Sequence, residues 1–201
     1  MTAAFGRDAL LDAFDRIGRA AALAGTKLQI AVYGGSALML ASNFRFSTDD
    51  VDVSRLEHPL PNWLAAVVSE IAAENGWQDD WFNDGVAFHL STFADQAGDH
   101  LEFGTFPRDG SATGLTVSVP SARYLLAMKL KAFRIMDPAR GETERLDILN
   151  LMRVVGIATV EDAISLLGRY FPMSAASSEK QRFLLKNMSR EGAADAPEYP
   201  R

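Results

Sequence analysis

The 201-residue chain has no cysteine, so it has no disulfide and no thiolate metal site. Histidine is also scarce. His58, His89 and His100 have no ligand spacing with one another and are assigned no metal. No Ser/His/Asp constellation stands out by spacing. No apolar run approaches the ~20 residues that a bilayer-spanning helix needs, and the first residues lack a signal-peptide pattern. A cytoplasmic protein without a membrane partner is therefore expected. Positive charge is in short supply: 20 Lys and Arg face 26 Asp and Glu, a net charge of −6, which argues against a generally basic nucleic-acid surface. The shortage is local. Between Ser47 and Pro107 there are twelve acids and a single base, Arg55. Between Pro120 and Arg145 six bases (Arg123, Lys129, Lys131, Arg134, Arg140, Arg145) outnumber three acids. An acidic portion able to hold a metal precedes a basic portion able to hold phosphate, although most such charges in proteins are simply solvated faces.

The hydrophobic content of 48% is that of an ordinary globular protein. Apolar residues at helical spacing predict a helix over 7–23, with Leu10, Leu11, Phe14, Ile17 and Ala21 inward. A buried strand follows at 28–32, a short helix at 36–41 and a strand at 50–54. Asn62 caps a helix to about Asn75, stopped by Gly76. Strands are expected at 86–90, 101–106 and 115–119. After Pro120 the pattern is helical. Ser121 caps a helix to about Met136, and a second runs over 142–155. Thr159 with Asp162 forms a capping box for a third, to about Arg169. A fourth covers 178–188. Trp63, Trp77 and Trp81 read as core or partner-contact residues. The order implies an α+β core over 1–119, a mixed β-sheet with flanking helices, followed by a helical C-terminal region over 120–189. The Gly/Ala/Pro/Glu-rich 190–201 reads as a disordered tail.

The most informative stretch is 31–53. Gly34-Gly35-Ser36 ends an apolar strand and opens a helix. Such a turn lets a ligand approach the backbone and aims free N–H groups at phosphate. By itself the triplet is most often a plain turn. Thirteen residues (37–49) separate Ser36 from Asp50-Val51-Asp52-Val53. Strand alternation puts Asp50 and Asp52 on one face, with Val51 and Val53 on the other. Paired carboxylates repel unless a cation lies between them. An oxygen-only pair suits Mg²⁺, which takes one or two carboxylates plus substrate phosphates. Asp49 alternates with Val51 and reads as a turn residue.

The turn, the short helix and the Asp-x-Asp strand together resemble the signature of the nucleotidyltransferase (polymerase-beta-like) superfamily. With Arg45 and Thr48 upstream, the stretch looks like the AbiEii toxin-like and DUF6036 branch. A second block, Tyr124 to Arg134 followed by Glu144-Arg145-Leu146-Asp147-Ile148, also resembles that branch, with Lys129 and Asp147 at its matching positions. The chain departs from the pattern by inserting 137–141 and by lacking the first Asp of an acidic pair.

The resemblance implies a nucleotidyltransferase-like fold. It implies Asp50 and Asp52 as metal ligands, Gly34, Gly35 and Ser36 as phosphate-binding residues, and Glu102 as the best candidate for a third carboxylate on a later strand. Lys129 lies inside the apolar stripe of its helix and must snorkel, pair, or reach an anion. The resemblance makes it a phosphate-binding and catalytic candidate. Asp147 suits an ion pair or hydrogen-bonded link to a base on the preceding helix. The implied cofactor is Mg²⁺. The implied partners are a nucleoside triphosphate, an RNA (tRNA) or protein acceptor, and a cognate antitoxin or toxin protein. Three functional readings follow. The first is a Mg²⁺-dependent nucleotidyltransferase, as in the toxin of a toxin–antitoxin system. The second is a degenerate version acting as a binding or antitoxin module. The third is a structural protein whose glycines only turn the chain and whose acids only face solvent.

Overall fold

The computed structural model describes residues 4–55, 61–188 and 191–201. His58 and Glu57 lie outside them. The chain divides into two compact units. The first comprises 1–41, 45–88 and 100–120, and the second comprises 42–44, 89–99 and 121–201.

The first unit is α+β. β1 (Phe5–Gly6) leads into α1 (Arg7–Leu23). β2 (Leu28–Val32) runs into α2 (Gly34–Ala41). β3 (Ser47–Thr48) and β4 (Val51–Arg55) follow, then α3 (Asn62–Asn75) and β5 (Phe82–Asn83). β6 (His100–Phe106) and β7 (Leu115–Pro120) complete it. Five strands form one mixed sheet in the order β5-β4-β2-β7-β6, and β1 pairs separately with β3. β2 lies antiparallel to β4 and parallel to β7, so both its edges are bonded. Four of its five residues are apolar and buried, and Gln29 alone is exposed.

The register gives each face a distinct composition. Leu28, Ile30, Val32, Val51, Val53, Leu115, Val117 and Val119 share one face by alternation and are all buried. Their burial comes with α1, whose Leu10, Phe14 and Ile17 are fully covered and which packs on β6 and β7. Phe14 meets Phe106 edge-on at 5.3 Å. Trp81 is fully buried, its indole N–H donating to the Val68 carbonyl at 3.1 Å, with Phe5 and Trp77 against it. The opposite face carries Ser54, Ala31, Ser118 and Glu102 side by side across four strands. Asp52 and Tyr33 lie one pleat repeat away on that same face.

The second unit is helical: α4 (Ala122–Ala132), α5 (Gly141–Val155), α6 (Val160–Tyr170), α7 (Pro172–Ala176) and α8 (Glu179–Asn187). Ser121 caps α4 by accepting the Tyr124 N–H. Thr159 caps α6 by accepting from the Asp162 N–H, and its hydroxyl donates to the Asp162 carboxylate at 2.7 Å. Segment 89–99 is held to these helices by buried polar groups. The Tyr170 hydroxyl donates to Asp99 Oδ1 at 2.5 Å, the Ser91 hydroxyl donates to the Tyr170 carbonyl at 2.5 Å, and the Ser91 N–H donates to the Tyr124 hydroxyl at 2.9 Å. Burial, reinforced by the Asp99 carboxylate, pushes the Tyr170 phenol up to about 12.

Four expectations are corrected. Residues 86–90 are not a strand: Gly85–His89 is a 3₁₀ turn in which Val86 is buried and Phe88 is 90% exposed. The helix after Ser121 stops at Ala132, because Phe133 adopts φ 41° while its ring stays buried. Asn62 is not a cap; Pro61 holds that position without a side-chain bond. Residues 191–201 are tied down in place of the expected disorder. The Ala194 N–H donates to Asn150 Oδ1, the Asn43 amide donates to the Ala196 carbonyl, Arg153 donates to the Ala194 carbonyl, and Tyr199 is buried.

Candidate functional site

The first unit brings the glycine turn and the acidic strand together. Gly34 sits at φ +65°, the left-handed region that glycine alone adopts without cost. A methyl group added there would lie 2.9 Å from Asp52 Oδ2, so the carboxylate rests against the bare Cα. At Gly35 the same addition would come within 3.1 Å of Arg45 Nη2 and 3.2 Å of Thr48 Oγ1. Gly34 is therefore required by its backbone, whereas a methyl at Gly35 would only oblige Arg45 and Thr48 to shift by a few tenths of an ångström.

Thr48 links the two halves of the site. Its hydroxyl lies against Gly35, donates to the Asp50 carbonyl at 3.1 Å and stands 3.3 Å from Asp50 Oδ1. Arg45 is held by a bond from Nε to the Ser47 carbonyl at 2.9 Å. Asp50 and Asp52 are half-buried, whereas Val51 and Val53 are fully buried and Asp49 is exposed. A guanidinium, a hydroxyl and the Asp52 carboxylate thus lie against the N-terminal turn of α2, whose first N–H groups have no partner within the helix, with Asp50 linked to the turn through Thr48.

Ser36 does not reach outward. It is 1% exposed, and its hydroxyl donates to the Tyr33 carbonyl at 3.0 Å. Its side chain secures the turn, and only its backbone N–H remains as a phosphate donor of the kind expected.

Glu102 is exposed and shares the sheet face of Asp52, which resolves its register. β2 and β7 nevertheless intervene, three inter-strand steps or about 14 Å. One ion cannot take Glu102 and Asp52 together, so the expected third carboxylate is not there. The ladder neighbour of Asp52 on its other side is Asn83, in the parallel pair β4–β5. Asn83 Oδ1 accepts the Gly85 N–H at 3.0 Å. On the same face, the Tyr33 hydroxyl and His100 Nε2 lie 2.8 Å apart.

Among the described residues no group of three or more His, Asp or Glu side chains is arranged to hold a metal ion. Two carboxylates fit Mg²⁺ when substrate phosphates and water supply the remaining oxygens.

In the second unit Lys129 is buried and paired. Its ammonium lies 2.8 Å from Glu144 Oε2 and 3.0 Å from Asp147 Oδ2, both on α5. Of its three expected fates, pairing is the one observed, and Asp147 fills its expected role as the partner of a base on the preceding helix. Two carboxylates already neutralise Lys129, which removes the free charge that a phosphate contact needs. Lys131 is also engaged: Nζ donates to the His89 carbonyl at 3.0 Å and lies 4.4 Å over the Phe171 ring.

Comparison of the chain with family models, with curated proteins and with solved structures finds no match. Thr48 and Arg45 join the candidate site through their contacts with Gly35. The signal for Thr48 was present: it alternates in phase with Asp50 and Asp52. Asn83 carried no signal, because only strand pairing places it beside Asp52.

Proposed function

We propose that the protein is a Mg²⁺-dependent nucleotidyltransferase that transfers a nucleotidyl group from a nucleoside triphosphate to an RNA or protein hydroxyl, as in the toxin of a toxin–antitoxin pair. The observation that carries this reading is the contact of Asp52 Oδ2 with the Gly34 backbone, with Thr48 tying Asp50 to Gly35. These contacts support the reading because they set carboxylate oxygens close to the backbone amides that would receive phosphate. Bound Mg²⁺ would neutralise and orient the triphosphate. Asp50 and Asp52 would hold it, the amides of Gly34, Gly35 and Ser36 would receive phosphate oxygens, and Arg45 would add a cation beside Gly35. In the transfer, the acceptor oxygen forms a bond to the α-phosphorus as the bond to the β-phosphate oxygen breaks. Pyrophosphate leaves with that electron pair, and the acceptor hydroxyl releases its proton.

A second reading, a degenerate binding or antitoxin module, is favoured by Asn83. An amide stands at the ladder position beside Asp52 where a third carboxylate would complete the set. Incubation with an α-³²P-labelled triphosphate, Mg²⁺ and either total tRNA or a protein extract separates the two. Label in a macromolecule, abolished by Asp52→Asn, supports the enzyme. Mg²⁺-dependent nucleotide binding without transfer to either acceptor class supports the binding module.

A further inference from the structure

We propose that residues 191–201 form a detachable strap that regulates this site: docked, the strap clamps Asn43 and so holds the stretch of chain that leads into Arg45. The inference rests on the nucleotide-binding reading above, in which Arg45 supplies a cation beside Gly35.

The strap is held through its backbone. The Glu191 carbonyl accepts from Arg145 at 2.9 Å, the Ala194 N–H donates to Asn150 Oδ1 at 2.9 Å, and the Ala194 carbonyl accepts from Arg153. These three partners lie on α5. Asn43 then donates from Nδ2 to the Ala196 carbonyl at 3.0 Å and accepts the Glu198 N–H at Oδ1, at 2.9 Å. Both polar ends of Asn43 are thus spent on the strap. Pro197, between the two bonded residues, has no N–H to leave unsatisfied and a restricted φ. Tyr199 is the one buried side chain of the segment, the others being half-buried or exposed. These backbone bonds and a single buried ring stand against the entropy of ordering eleven residues, and the two are of similar size. Docking is therefore a local equilibrium, separate from unfolding of the helices beneath.

What the clamp controls is set by chain continuity. Asn43 lies in an irregular stretch between α2 and β3, where the Phe44 N–H donates to Ser42 Oγ at a long 3.4 Å. Arg45 follows two residues on, within about 7 Å of chain. Its Nη2 would lie 3.1 Å from a methyl on Gly35. With Asn43 clamped, the backbone entering Arg45 is held in one position. With the strap released, Asn43 loses both partners and Arg45 ranges more widely. A triphosphate then loses a cation that was ordered in advance.

Hydrogen exchange and calorimetric titration of the full chain test this together. Asn43→Ala, Tyr199→Ala, Arg45→Ala and the Asn43→Ala/Arg45→Ala pair are compared with wild type. Without nucleotide, the amides of 43–47 should exchange about tenfold faster in Asn43→Ala and in Tyr199→Ala, while those of α1 and α6 keep their wild-type rates. Inorganic tripolyphosphate with Mg²⁺ should bind about tenfold more weakly to both variants. Asn43→Ala should add no further loss in the Arg45→Ala background, as expected of a positioning residue that acts through Arg45. Unchanged exchange over 43–47 overturns the strap. Faster exchange with undiminished tripolyphosphate affinity overturns its link to the site and leaves the nucleotidyltransferase reading standing. A full additional loss in the Arg45→Ala background does the same. Faster exchange throughout α1 and α6 overturns the strap too, since the variants would then loosen the fold as a whole. Absence of nucleotide and tripolyphosphate binding in wild type overturns both readings.

Discussion

At the residue scale, Gly34 carries the constraint that bears most directly on the candidate site. It combines a left-handed backbone with a carboxylate against its Cα. Gly34→Ala should therefore cost stability, roughly 1–2 kcal/mol from the backbone alone, and should also push Asp52 out of place. The expected outcome is a lowered urea midpoint together with lost Mg²⁺-dependent nucleotide binding. Gly25, also at positive φ but with open space around its Cα, should show only the stability loss when changed to Ala. Equal nucleotide binding in both variants would separate Asp52 from the turn. Tyr170 offers a second check. Its phenol is held protonated to about 12, above the usual value near 10. Between those values the folded state keeps a proton that the unfolded state has lost, so stability falls as pH rises through that window. Urea midpoints from pH 9 to 11.5 should fall less steeply in Tyr170→Phe than in wild type. Identical slopes would mean that burial and Asp99 do not raise the phenol in the folded state.

At the scale of elements, the α4–α5 pair is joined by a buried charge cluster. Lys129→Met keeps the length of the side chain but strands Glu144 and Asp147 without their cation. Breaking a buried pair in this way costs about 3–5 kcal/mol. A large drop in thermal midpoint is expected, and it reverses the near-neutral effect that a snorkelling or phosphate-facing lysine would give. Lys131→Met should cost less, about 1 kcal/mol, because the lost cation–π contact and carbonyl bond are partly exposed. Little change for Lys129→Met would return that residue to the phosphate-binding candidates.

The same elements explain what could be read in the sequence. α1, β2 and β4 follow periodicity and burial closely, because each has one clearly apolar face, although β4 begins at Val51 and leaves Asp50 just ahead of it. The 86–90 strand failed because an apolar run says nothing about a partner strand, and here only Val86 is covered. The end of α4 was not legible because Phe133, an apolar residue in phase with the helix, takes the left-handed φ of 41° that closes it. The tail failed because its composition is disordered in type, whereas Asn43, Asn150 and the Tyr199 ring supply specific partners.

At the scale of the whole molecule, the candidate site is contained in the α+β unit. Its sequence signal was the order of turn, helix and alternating acids. Its incompleteness, Asn83 beside Asp52 and Glu102 three strand steps away, could come only from strand pairing. The helical unit supplies a charge cluster that is internally balanced to within one carboxylate. The central claim is that Asp50 and Asp52 hold Mg²⁺ jointly with a triphosphate bound at the Gly34–Gly35 turn. Calorimetric titration of wild type and the Asp50→Asn/Asp52→Asn double variant with each nucleoside triphosphate, with and without Mg²⁺, tests it most directly. The account predicts binding by wild type only when Mg²⁺ is present, and none by the double variant. Equal affinity in the two proteins, or binding by wild type that ignores Mg²⁺, would contradict it.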